Sequence, residues 1–120
     1  MHQIAFNEIS AAELSVIPSA EQLELFSGFQ VSEEFLNGEK EDPRFGVVER
    51  DGRRIFRYRS GDYRVYFTMQ DGAVVVQRVL HADSLADFLF RSGMGSEDQK
   101  LSKSRSFWSL IEAGEKAARK

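Results

Sequence analysis

Hydrophobic positions along this 120-residue chain shift from helical to strand period near Phe45. Before that point apolar residues recur at helical spacing, from Leu14 and Ile17 through Leu23, Leu25, Phe26, Phe29, Val31, Phe35 and Leu36. Beyond it they alternate with a period of two, as in strands with one buried face. A short apolar opening, Ile4-Ala5-Phe6, reads as a first strand. Pro18 interrupts the helical stretch. Proline lacks the N–H that a helix interior needs but suits a first turn, so the pattern predicts two consecutive helices breaking near Ile17-Pro18. Gly38 is the natural end of the second, and Glu39 to Pro43 form a charged loop.

The period-two region is punctuated by Asp51-Gly52, Gly61-Asp62 and Asp71-Gly72, the residue pairs favoured in two-residue hairpin loops. The pattern therefore predicts a four-stranded antiparallel meander. Such short loops also fix register. They set Arg50 opposite Arg53, Val47 opposite Phe56, Phe45 opposite Tyr58, Tyr58 opposite Val65, Phe67 opposite Val76 and Met69 opposite Val74. One face then reads Phe45, Val47, Phe56, Tyr58, Val65, Phe67, Met69, Val74, Val76 and Leu80, with Arg54 and Arg78 at its margins reaching water. The other reads Ile55, Arg57, Arg59, Arg64, Tyr66, Thr68, Val75, Gln77, Val79 and His81. On it Arg59 faces Arg64, and Tyr66 lies between Arg57 and Gln77. Like charges opposed across a sheet are unfavourable, so stability alone gives no reason to place them there. A bound anion does.

After the meander, Ser84–Arg91 has helical spacing, residues 92–104 read as a polar linker, and Phe107, Trp108, Leu110 and Ile111 mark a final short helix weakened by Gly114. The expected fold class is α+β: an N-terminal strand and two-helix hairpin packed on the meander, with short C-terminal helices. Residues 1–91 form the expected domain and residues 92–120 a linker and helical extension.

Composition narrows the chemistry. With 42% hydrophobic and 29% charged residues the chain is an ordinary globular one, and no cysteine is present for disulfides, thiolate catalysis or thiolate metal sites. Two histidines, His2 and His81, are too few for a histidine-built metal centre. No apolar run reaches the length of a membrane span and no leader pattern opens the chain, so the expected address is cytoplasmic with no membrane partner. The net charge of −3 is unevenly spread: residues 1–43 carry one Lys against nine Asp and Glu, while residues 44–81 carry eight Arg and no Lys against four. An arginine-only middle suits phosphate, and solvated surface charge is the plain alternative.

Asp62, Asp71 and Asp83 sit at turns and strand ends, where Asp commonly serves the backbone, and no glycine-rich phosphate loop or serine nucleophile motif is visible. The remaining candidate is metal-free, cofactor-free phosphodiester chemistry on RNA. It needs a cationic cradle for the non-bridging oxygens, which Arg57, Arg59 and Arg64 can form by bidentate contact. It also needs proton transfer, for which His81 at the strand end is the candidate; a strand-end histidine bonding backbone is an equally good reading. Tyr66 could stack a base or donate to phosphate, or simply cover its arginine neighbours. Gln77 completes the candidate substrate-binding set.

The stretch from Phe56 to Phe67, with Gly61-Asp-Tyr-Arg64 at its centre, then Asp71-Gly-Ala-Val-Val-Val and Val79-Leu-His81, resembles the RelE/ParE superfamily of toxin–antitoxin toxins. The upstream Leu14-Ser-Val-Ile-Pro18 with Gln22-Leu23 resembles that family's helical hairpin, so the likeness covers roughly residues 3 to 90. The resemblance implies a metal-independent endoribonuclease, or mRNA interferase, that cuts ribosome-bound mRNA, represses translation and is neutralised by a cognate antitoxin. It casts Arg57, Arg64 and His81 as catalytic, with Arg64 clamping the transition state, and Arg59 as a backbone grip. The sequence departs from the family pattern at Ile55, Ala82 and Phe88, which stand where a basic residue, an arginine and a tyrosine occur.

Two other readings stay open at this level. A ParE-like protein would bind DNA gyrase without nuclease activity. A binding module could have its sheet face occupied by its own tail through Phe107, Trp108, Leu110 and Ile111. The enzymatic reading requires the three guanidinium groups to share one face and to be free of internal carboxylates.

Overall fold

The computed structural model describes residues 3–85 and 96–117. A five-stranded mixed sheet has the order β1-β5-β4-β3-β2, built from β1 (Ile4–Phe6), β2 (Phe45–Arg50), β3 (Arg53–Ser60), β4 (Tyr63–Gln70) and β5 (Ala73–His81). Strands β2 to β5 are the expected meander, and the hairpin registers agree with those inferred from the turns. The sheet is one strand wider than that meander because β1 joins it, parallel to β5. Asp51 and Asp71 have φ of 51°, each followed by a positive-φ glycine, as these tight loops demand.

Helices α1 (Glu8–Ser15) and α2 (Ser19–Gly28) meet at Pro18, which caps α2. The Gln22 amide donates to the carbonyls of Leu14 and Ile17 and so locks the corner. The second helix does not run to Gly38. It stops at Gly28, and a separate turn, α3 (Glu33–Leu36), starts from a Ser32 cap. Gly28 lies against the Tyr58 hydroxyl, leaving no room for a side chain, and that hydroxyl donates to the Leu25 carbonyl. These helices cover the predicted apolar face: Ile17, Leu25 and Phe29 pack on Phe45, Tyr58, Val65, Phe67, Val74 and Val76.

The C-terminal segment departs most from expectation. Residues 97–102, placed in a polar linker by composition, form helix α4 (Glu97–Ser102), and α5 (Arg105–Ala117) runs through Gly114. Both lie on the other face of the sheet, where Leu101, Phe107, Trp108 and Ile111 pack with Val48, Ile55, Tyr66, Leu80 and Leu85 into a second core. Gly114 presses against the Gln77 carbonyl, so only glycine fits. Residues 82–85 are helical, as Ser84 and Leu85 suggested; the rest of that predicted helix, with Phe88, lies outside the described residues.

One irregularity re-sorts the faces. Phe67 pairs with Val76 but Tyr66 pairs with Arg78, so Gln77 is an extra residue in β5 and forms a bulge. Helix α1 supports it with one polar edge at helical spacing. The Ser10 hydroxyl donates to the Val76 carbonyl at 2.8 Å, the Asn7 amide to the Gln77 carbonyl at 3.0 Å, and Glu13 accepts from the Val79 N–H at 3.0 Å. Beyond the bulge the alternation is inverted: Val79 enters the first core and Leu80 the second, the reverse of the turn-based assignment. Arg78 is not at a wet margin. It is held by Glu13 at 2.7 Å and donates to the Leu110 carbonyl.

Candidate functional site

Strand alternation sends Ile55, Arg57 and Arg59 of β3 and Arg64 and Tyr66 of β4 to the same side of the sheet, and the registers Arg57↔Tyr66 and Arg59↔Arg64 set them side by side. The three guanidinium groups that the sequence singled out are gathered on one face. They are not free. Arg57 makes a two-pronged pair with Asp98, Nε to Oδ1 at 3.1 Å and Nη2 to Oδ2 at 3.0 Å, and also donates to the Arg44 carbonyl. Glu97 Oε2 accepts from Arg64 Nε at 3.0 Å and from Arg59 Nη2 at 3.4 Å. One carboxylate bridging Arg59 and Arg64 offsets the repulsion that made this pairing conspicuous.

Arg57 and Arg64 are 6% and 8% exposed, so neither is open to an incoming polyanion in this conformation. Glu97 and Asp98 come from the first turn of α4, whose Ser96 cap and Gln99 form a reciprocal capping box. Acidic groups there also favour the helix dipole. Gly46 makes the arrangement possible, because a side chain there would collide with the Arg57 guanidinium and lie 2.5 Å from the Asp98 carboxylate. The same pattern continues along the face: Arg53 pairs with Glu112 at 3.1 Å and with Glu115 of α5, and stacks over Trp108 at 5.1 Å.

Tyr66 is fully buried between these groups, with its ring edge-on to Phe107 at 4.9 Å. Its hydroxyl has no hydrogen-bond partner among the described residues. Burial, and then the charges of Glu97 and Asp98, push its phenol well above the ordinary 10.0, while Arg64 and Arg57 pull the other way. It stays a neutral donor at any physiological pH. An orphaned buried hydroxyl costs about 1–3 kcal/mol, a conspicuous expense in the centre of an otherwise well-paired cluster.

The remaining candidates are elsewhere. Beyond the bulge His81 pairs with Tyr63 and sits edge-on to its ring at 5.2 Å. It lies on the α1–α2 side of the sheet, not with Arg57 and Arg64. Its Nδ1 accepts from the Asp83 N–H at 3.1 Å, which is the backbone-bonding alternative. His81 and Tyr63 line a small cavity of about 220 Å³ with Glu21, Glu24, Ser60, Gly61 and Asp62, where Tyr63 donates to Glu21 at 3.0 Å. Gln77 is buried in the bulge, donating to Thr68 at 3.1 Å, and faces no open surface. Ala82 caps β4 by donating its N–H to the Asp62 carbonyl. Among the described residues, no group of three or more acidic or imidazole side chains could hold a metal ion, and no helix is long and apolar enough to cross a membrane.

Sequence reasoning missed Asn7, Glu97 and Asp98. The last two carried a legible sign, since Ser96-Glu97-Asp98-Gln99 ahead of Leu101 fits a capping box. Asn7 caps α1 by accepting from the Ser10 N–H, and its amide donates both to Gln77 in the bulge and to the Gly114 carbonyl of α5 at 2.9 Å.

No family model matches this sequence, and no curated protein matches it. Solved structures do. The chain is similar to one from the RelB-RelE antitoxin-toxin complex of Methanococcus jannaschii, with 20% identity, a TM-score of 0.47, and coverage of 70% of this chain and 96% of that one. It is also similar to one from the toxin-antitoxin complex RelBE2 of Mycobacterium tuberculosis, with 23% identity, a TM-score of 0.51, and coverage of 67% and 96%. The fold is RelE-like, and about a third of this chain has no counterpart in the second of these structures.

Proposed function

We propose that this chain is a RelE-type toxin whose Arg57, Arg59 and Arg64 grip the ribose–phosphate chain of mRNA, and whose partner is a cognate antitoxin. The observation that carries this reading is the gathering of the three guanidinium groups on one face of the sheet, with Arg57 and Arg64 acting on a buried tyrosine hydroxyl that has no hydrogen-bond partner among the described residues. In the present conformation the arginines do not meet the requirement of being free of internal carboxylates, since Glu97 and Asp98 hold all three, and the reading depends on their withdrawal. With those carboxylates withdrawn, the arginines would neutralise charge on the non-bridging oxygens as a 2′-oxygen attacks the adjacent phosphorus and the P–O5′ bond breaks. Tyr66 would donate to one of these oxygens. The resemblance noted in Gly61-Asp-Tyr-Arg64 and the RelE-like fold support the same class of substrate, with translating ribosomes as the place of action.

The position of His81 favours a second reading. With the imidazole on the far side of the sheet, the arginine face has lost its candidate for proton transfer. Cleavage there would rest on charge stabilisation, and a protein that blocks translation by binding alone, or a ParE-like gyrase inhibitor, fits the same geometry. Induced expression separates these. Growth arrest with fragmented translated mRNA, in the wild-type chain or in Glu97→Gln/Asp98→Asn, and its relief by Arg64→Ala, supports the nuclease. Arrest with intact mRNA supports the binder, and inhibited supercoiling assigns it to gyrase. Normal growth with intact mRNA in both chains retires the toxin reading.

A further inference from the structure

The C-terminal segment carries two helices of unlike attachment. Helix α5 is anchored by Phe107, Trp108 and Ile111, all nearly fully buried, and by Gly114 against the sheet. Helix α4 has one buried apolar side chain, Leu101. Among the described residues, its side-chain ties to the sheet are the carboxylates of Glu97 and Asp98 on Arg57, Arg59 and Arg64, and Arg50 of β2 donates to the carbonyl of its C-cap Lys103 at 3.4 Å. Between the two helices lie Lys103 and Ser104. Ser104 caps α5 by accepting from the Phe107 N–H, and the Trp108 indole N–H donates to the Ser102 carbonyl. The break between the helices is therefore anchored on the α5 side, and α4 hangs from it across the arginines.

We infer that α4 is a displaceable strap that mimics RNA phosphate, closing the arginine face in cis through Glu97 and Asp98 and giving way to single-stranded RNA while α5 stays in place. The inference rests on the reading of that face as phosphate-binding. Three features argue for exchange rather than a fixed salt-bridge core. The two carboxylates are adjacent in sequence, so one movement removes the carboxylate partners of all three arginines, while Arg57 keeps its bond to the Arg44 carbonyl and Arg64 those to the Gly61 and Tyr63 carbonyls. The two-pronged Asp98–Arg57 pair has the geometry that guanidinium makes with phosphate as readily as with carboxylate. The Tyr66 hydroxyl, on which Arg57, Arg64, Glu97 and Asp98 all act, finds no acceptor among the described residues with the strap in place, whereas a phosphate, with more acceptor oxygens than a carboxylate, could satisfy it.

Two measurements on the full chain test this. The first titrates wild type and Glu97→Gln/Asp98→Asn with a short fluorescein-labelled single-stranded RNA at fixed salt. The double variant is expected to bind about tenfold or more tightly, and adding Arg57→Ala to it should abolish the gain. The second follows amide hydrogen exchange of the wild-type chain with and without that RNA. Protection over 97–102 should fall on binding while that over 105–117 is retained. If wild type and double variant bind equally well and both depend on Arg57, the strap is not inhibitory and only the phosphate-binding reading stands. If bound RNA leaves exchange over 97–102 unchanged, displacement is refuted whatever the variant does. If neither chain binds RNA, the phosphate-binding reading fails and takes the strap with it.

Discussion

Tyr66 concentrates the tension in this molecule. Its hydroxyl is shut away from water with no partner among the described residues, so Tyr66→Phe should stabilise the chain by about 1 kcal/mol in urea unfolding while weakening RNA engagement. Its titration gives a second readout. The folded chain keeps a phenolic proton that the unfolded chain releases near its ordinary value of 10.0. Stability from this group is therefore complete below that pH and falls as pH rises past it, by up to about 1.4 kcal/mol per pH unit. Tyr66→Phe should flatten most of that alkaline fall. A residue remains from Tyr58, whose phenol is also raised by burial. For His81, in contact with Tyr63 and the Asp83 backbone, the backbone-bonding one of its two sequence readings sets the expectation. His81→Ala should leave RNA binding within about twofold of wild type in the same titration.

At the scale of elements, α4 and α5 differ in what holds them. Burying Leu101 contributes about 1.5–3 kcal/mol to α4, against about 5–9 kcal/mol for Phe107, Trp108 and Ile111 in α5. Gly114 measures how closely α5 approaches the sheet. An alanine in an exposed helix interior would gain about 1 kcal/mol over glycine, yet here its methyl would strike the Gln77 carbonyl. Gly114→Ala should therefore lower stability by about 1–3 kcal/mol in urea unfolding, despite the better helix propensity. The same residue shows where sequence reading stops. The three hairpin turns were legible because Asp-Gly and Gly-Asp encode backbone geometry locally, and the register followed from them. Gly114 read as a weakness because its reason is a contact with a residue 37 positions earlier in the chain. The end of α2 at Gly28 was missed for the same cause, since the Tyr58 hydroxyl that occupies the space comes from β3.

At the scale of the whole molecule, the described residues form two cores, one on each side of a shared sheet. Composition exposed the first through the alternation of β2 to β5. It concealed the second, because the face that α4 and α5 cover mixes Ile55 and Tyr66 with arginines and reads as a polar surface until the tail's carboxylates are set against them. The candidate arginines were thus correctly grouped from pattern and register, and their state was not, since Glu97 and Asp98 lie more than 30 residues away in sequence from Arg64. A chain truncated before residue 96 would expose Val48, Ile55, Leu80 and Leu85 together. It should aggregate on expression, as seen by light scattering, rather than remain a monodisperse shortened domain. Retention of a well-behaved monomer would show that the second core is dispensable.

Gln77 gives the last strand its handedness of presentation. Side chains alternate strictly only where pairing is regular, so a bulge that takes up one residue inverts the sequence count for everything that follows it, and here that places the imidazole and the guanidinium groups back to back across the sheet. Deleting Gln77 would remove the bulge yet leave His81 opposite Tyr63, on the side away from the arginines; only drawing Gln77 into the ladder opposite Tyr66 would carry the imidazole round to them, at the expense of the contacts that Asn7 and Glu13 make with the bulge. The choice between a bulge and a regular pairing at this one position thus decides whether acid–base chemistry and phosphate recognition share a surface or are kept apart.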